Sequence, residues 1–148
     1  MRKIIFLDFD GVLHGERDPI FAKLPQFEQY ALQMPEVEIV ISSAWRETRG
    51  FDKLRAPFQP AVRNRIIGIT PSLDGGYLPG GRQREIETYL QNAQLWKHNA
   101  DWIALDDIGF FFDPDCPYLI LVDGAHGFAE QHGRALLAWY ARPPSMYD

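Results

Sequence analysis

Only one cysteine, Cys116, occurs in the 148 residues, and a lone thiol closes no internal disulfide, which excludes a disulfide-stapled fold. That usage fits a reducing compartment, and the cytoplasm is the expected location. No apolar run approaches the roughly 20 residues needed to cross a bilayer, and the stretch from Ile4 to Leu7 is broken at once by Asp8 and Asp10. It reads as a strand rather than the core of a signal peptide, and no membrane association is expected. Internal repeats and low-complexity tracts are absent as well. Positive charge is short, with a net charge of −5, which argues against a broad grip on a long nucleic acid, where Lys and Arg must neutralise many phosphates.

What is present is ordinary globular composition, 46% hydrophobic and 24% charged, in a length suited to one domain, expected over residues 1–148. The net charge hides a division. From Arg46 to Arg84 there are eight basic residues against three acidic ones, and the rest of the chain has seven against seventeen. Such asymmetry suits either a surface receiving an anionic substrate or a solvated face with scattered arginines.

Apolar runs at Ile4 to Leu7, Val37 to Ile41, Arg65 to Ile69, Trp102 to Leu105 and Tyr118 to Val122 read as five strands, the first two buried on both faces. Helical spacing of apolar residues predicts helices over Phe27 to Met34, Trp45 to Leu54, Arg84 to Gln94 and Ala129 to Ala141, with a Pro143-Pro144 tail and a glycine-rich loop from Ser72 to Gly81. Strands alternating with helices predict an α/β fold, a five-stranded mostly parallel sheet with helices on both faces. A ligand site is then expected beyond the carboxyl ends of the strands.

The chemically suggestive residues fall at those ends. Asp8 and Asp10 flank Phe9 and point the same way from an extended strand end, since side chains alternate faces. Two carboxylates on one side attract a divalent cation, and hard oxygen ligands near an anionic substrate favour Mg²⁺; the competing reading is a solvated acidic turn. Asp106-Asp107 follows another strand and would lie at the same edge, bringing three or four carboxylates around one ion. Ser42 and Ser43 end the second strand, as phosphate-binding hydroxyls or as helix caps. Arg82 and Arg84 stand ahead of the helix leading into Asp106-Asp107, where a guanidinium binds phosphoryl oxygens or simply faces solvent.

The ordered set Asp8-Phe9-Asp10-Gly11-Val12, Ser42, Arg82, Asp106-Asp107 resembles the four motifs of the haloacid dehalogenase (HAD) superfamily of phosphohydrolases. Phe6-Leu7-Asp8-Phe9-Asp10-Gly11-Val12-Leu13-His14, Ile41-Ser42-Ser43-Ala44-Trp45-Arg46 and Arg82 before Glu85-Ile86 resemble, more closely, small HAD domains associated with RNA-repair proteins. The resemblance implies a Rossmann-like HAD domain with a magnesium-dependent phosphatase activity. Asp8 would be the nucleophile and Asp10 the acid and base. Asp8, the backbone carbonyl of Asp10, and Asp107 or Asp106 would hold Mg²⁺, while Ser42 and Arg82 would grip the phosphoryl group. Arg stands where the family usually has Lys, and Arg84 competes with Arg82 for the role. The second aspartate, which haloacid dehalogenases generally lack, favours phosphoryl transfer over carbon–halogen cleavage.

Larger HAD enzymes insert a cap after the first motif or between the second and third, and neither interval is long here, so little or no cap is expected. An open site admits a polymer end or another phosphorylated macromolecule, such as a nucleic-acid 3′-phosphate, with Trp45, Tyr77 and His14 either stacking on a base or simply packing. Arg46 and Arg49 would lie near flanking phosphates. The rival readings are a phosphatase of small metabolites or nucleotides and a catalytically silent phosphate-binding module. The contiguous acidic pair expected of a phosphorylation-receiver domain is not found after the first strand. His126 and His132 have no role readable from spacing.

Overall fold

A computed structural model describes residues 1–95 and 99–143. Five strands, β1 (Arg2–Leu7), β2 (Glu38–Ile41), β3 (Ile66–Ile69), β4 (Ala100–Asp106) and β5 (Leu119–Leu121), form one sheet in the order β3-β2-β1-β4-β5. Every pairing is parallel, so the sheet is wholly rather than mostly parallel. Five helices accompany it: α1 (Leu24–Ala31), α2 (Phe51–Arg55), α3 (Pro60–Arg63), α4 (Gly81–Asn92) and α5 (Glu130–Ala141).

Side-chain alternation along β1 explains the two layers. Ile5 and Leu7 face a core built with Phe27 of α1, Leu54, Val62 and Leu136 of α5, whereas Ile4 and Phe6 face Ile86 and Leu90 of α4. Each such side chain taken out of water contributes roughly 1.5–3 kcal/mol, and Phe6, Phe27 and Phe58 are among the largest fully buried. The central strand has both faces covered from Ile4 onward, which is why its sequence is continuously apolar from Ile4 to Leu7.

Some predicted boundaries move. Helix α1 starts three residues before Phe27 because Pro25 suits a first helical turn, and it ends before Met34. The predicted helix from Trp45 to Leu54 is two pieces, a 3₁₀ turn at Ala44–Glu47 capped by the Ser43 hydroxyl and then α2 after Gly50. Pro60 opens the short helix α3. Helix α4 begins at Gly81, not Arg84, after Gly80 at φ 73°, a left-handed conformation that glycine adopts without strain. The tail at Pro144 lies outside the described residues. Among those described, no helix is long and apolar enough to cross a membrane.

The stretches after β1 (8–23) and after β3 (70–80) carry no strand and no α-helix, and no larger insertion stands where a cap would be.

Candidate active site

Backbone pairing runs one residue past the strands and sets the site. The Asp8 amide donates to the Leu105 carbonyl (3.1 Å) and the Ser42 amide to the Leu7 carbonyl (2.8 Å), so Asp8, Ser42 and the end of β4 are neighbours at one edge. Asp8, Asp106 and Asp107 each offer a carboxylate oxygen, all within 4.8 Å of one another. Asp107 is seated between two glycines, since a side chain on Gly11 or Gly124 would overlap its carboxylate.

Arg82, in the first turn of α4, bridges the group: one Nη lies 3.2 Å from Asp8 and 2.9 Å from Asp106, and the guanidinium stacks 5.0 Å from the Phe111 ring. One guanidinium cannot neutralise three carboxylates. Burial, then the Asp106 charge, push Asp8 well above the usual carboxylate range, with Arg82 only partly opposing. Asp106 and Asp107 are also raised, chiefly by burial. Burial works against the charge of Arg82, but Asp106 and Asp8 outweigh it and hold the guanidinium above its ordinary value. Among the described residues, two buried polar atoms here find no hydrogen-bond partner, the Ser42 hydroxyl and Arg82 Nε. Uncompensated negative charge in an all-oxygen donor set fits a hard divalent cation, and the unpartnered donors fit an anion beside it.

Asp10 goes elsewhere. Its carboxylate accepts from His14 Nε2 and from the Trp45 indole N–H, both at 2.9 Å, and it is not in the three-carboxylate group. Ser43 caps the following 3₁₀ turn, accepting from the Trp45 amide (3.2 Å), while its carbonyl accepts from Arg46 (2.7 Å). Arg46 is buried in an ion pair with Glu85 of α4 at 2.7 Å, and Arg84 is exposed and pairs with Asp113, so of the two competing cations it is Arg82 that meets Asp8. Trp45 packs against Phe9, Phe21 and His14, with Arg49 stacked 4.2 Å from its ring, which leaves it little free face for a base. Tyr77 stays exposed.

The positive excess between Arg46 and Arg84 is largely committed within the fold. Arg65 donates to the carbonyls of Ala31, Met34 and Val37 beyond α1, and Arg63 to those of Ala56 and Phe58. The 70–80 loop is tied down too. Glu85 accepts from the Leu73 amide, Glu47 from the Ser72 and Tyr77 hydroxyls, and the Phe110 carbonyl from the Gly80 amide.

Sequence reasoning gathered the strand-end acids but missed Glu85 as the partner of Arg46, the seat of Asp107, and the donors to Asp10. The four-residue spacing of Asp10 and His14 was the one available signal for the last.

Neither a curated protein nor a solved structure matches the chain. A family model described as the HAD domain in Swiss Army Knife RNA repair proteins matches residues 4–132, from β1 into the first turn of α5. That span holds β2 to β5 whole, β1 from Ile4 onward, and every acidic, hydroxyl and guanidinium group described above, and the chain belongs to this family of HAD domains.

Proposed function

We propose that the chain is a Mg²⁺-dependent phosphomonoester hydrolase that works through an aspartyl-phosphate on Asp8. One observation carries the reading: a buried group of three carboxylates, bridged by Arg82 and set beside an unpartnered Ser42 hydroxyl. Asp8 and Asp107, with the main-chain carbonyl of Asp10, would hold the metal. Between the two neighbouring acids Asp106 suits that role less than Asp107, because its oxygens already accept from the Ile108 amide (3.0 Å) and from Arg82 (2.9 Å). Bound Mg²⁺ would supply charge that screens the repulsion between a carboxylate and a phosphate dianion.

The residues then divide the work. A carboxylate oxygen of Asp8 attacks phosphorus, the bond from phosphorus to the ester oxygen breaks, and Asp10 gives that oxygen a proton. Water next attacks phosphorus and passes its proton to Asp10, and the bond to Asp8 breaks, releasing inorganic phosphate and restoring both aspartates. Arg82 Nε and the Ser42 hydroxyl are the donors placed to hold the phosphoryl oxygens.

The substrate favoured is an accessible phosphorylated macromolecule, above all a nucleic-acid end bearing a 3′-phosphate. The short intervals after β1 and β3 support this, as does the RNA-repair setting named for the family. The test is phosphate release from 3′- and 5′-phosphorylated oligonucleotides, mononucleotides, sugar phosphates and an aryl phosphate, with and without Mg²⁺. Metal-dependent release, fastest from a 3′-phosphorylated oligonucleotide, is expected. Faster release from mononucleotides or sugar phosphates would move the substrate to small metabolites. No release from any of them would leave a binding module.

A further inference from the structure

The Asp10 side chain is 65% exposed, yet both of its oxygens have a protein donor, His14 Nε2 on one and the Trp45 indole on the other. Pairs so exposed add little to stability, because water competes for each partner. What two donors from different segments do impose is direction. His14 follows β1 and Trp45 follows β2, so the carboxylate is held between the two strand ends that carry Asp8 and Ser42.

The holders are themselves fixed. The Phe21 amide, which can only donate, points at His14 Nδ1 (3.3 Å), so the ring proton sits on Nε2, where it is directed at Asp10. Phe21 reaches this pose at φ 64°, a left-handed conformation that typically costs a bulky residue about 1–3 kcal/mol. The indole of Trp45 is set by edge and tilted contacts with Phe9, Phe21 and His14, and by Arg49 above its ring. Backbone strain beside two oriented donors on one exposed carboxylate is the kind of held geometry that suits aiming a proton.

We propose that His14 and Trp45 are positioning residues that aim the Asp10 carboxyl at the leaving oxygen during transfer to Asp8. The inference rests on the phosphatase reading above. In that step the ester oxygen keeps the electron pair of the broken bond to phosphorus and takes the proton of Asp10. An alkyl ester depends on that proton, whereas an activated aryl ester leaves well without it, so the two respond differently when the aim is lost.

The experiment compares kcat/KM for an alkyl phosphate monoester and for p-nitrophenyl phosphate, using the full chain with Mg²⁺, in the parent and in Trp45→Phe, His14→Leu and His14→Gln. Trp45→Phe and His14→Leu should lower the alkyl value about tenfold or more, within the 10²–10⁴-fold that proton transfer typically supplies, and the aryl value less than about threefold. His14→Gln, which keeps an N–H donor, should recover most of the alkyl value. If His14→Leu fails to fold, Trp45→Phe and His14→Gln carry the comparison. Equal falls on both esters, or no fall on the alkyl ester, overturn the positioning role in an active parent. A parent that turns over neither ester, nor a 3′-phosphorylated oligonucleotide, overturns the phosphatase reading, and this inference with it.

Discussion

Two aspartates separated by a single residue live in opposite surroundings. Asp8 is 4% exposed, its carboxylate crowded by Asp106 and Asp107 with one guanidinium among them, while Asp10 stands largely in solvent between two ring N–H donors. Burial and like charge make the first carboxylate costly to ionise, a cost that a bound cation and a phosphoryl electrophile would relieve. The second stands in solvent and is oriented by its donors. One strand end thus holds a group poised by electrostatic tension beside a group poised by direction.

The largest effect that would break this contrast is on turnover. Asp8→Asn, which removes the proposed nucleophile, should lower phosphate release by at least about a thousandfold while the fold is retained. Phosphate release at the parent rate would remove Asp8 from the chemistry.

Thermal stability gives the next test. In the metal-free protein Asp8, Asp106 and Asp107 bind protons at higher pH than in the unfolded chain, where carboxyls titrate near about 4. Above that value the folded state holds more protons than the unfolded one, so the cluster's contribution to stability falls as pH rises through the window up to the raised values. Asp8→Asn should therefore raise the metal-free melting temperature relative to the parent, and by more at pH 7 than at pH 5. Mg²⁺ at a hundredfold over Kd should stabilise the parent by about 2.7 kcal/mol, or about 5–10 °C for a chain of this size. If Asp10→Asn gave the same metal-free gain as Asp8→Asn, the two surroundings would not differ as described.

The smallest effect concerns the cover over Trp45. Arg49→Ala removes a surface cation–π contact and should cost about 0.5–1 kcal/mol in denaturant unfolding. A loss several times larger would mean that the Asp10 side is held by buried interactions after all.

The strand ends were readable because the stretches Ile4 to Leu7, Ile39 to Ile41 and Trp102 to Leu105 are apolar without interruption, so the first polar residue after each, Asp8, Ser42 or Asp106, marks the carboxyl end of its strand. The start of α4 was not. Its glycines read as loop, yet Gly81 is helical, which puts Arg82 and Glu85 on successive turns of one helix. Arg46 is expected from the sequence to lie near a phosphate, yet it is paired with Glu85 on α4, and periodicity carries no information on pairings between distant elements. Trp45 and His14 were legible as aromatics near the site, but their donors to Asp10 depend on side-chain rotation set by Phe9 and Phe21. The basic stretch misled for a similar reason, since carbonyls beyond a helix end attract arginine as phosphates do, and composition does not separate the two.

The stitching of the 70–80 loop to Glu47, Glu85 and Phe110 has a kinetic side. A rim fastened at several points has no free flap to swing, so arrival and departure would proceed without an opening step, and solvent would enter as readily as substrate. Discrimination among phosphate esters would then fall to the groups surrounding phosphorus, and bulky leaving groups would be no slower to depart than small ones.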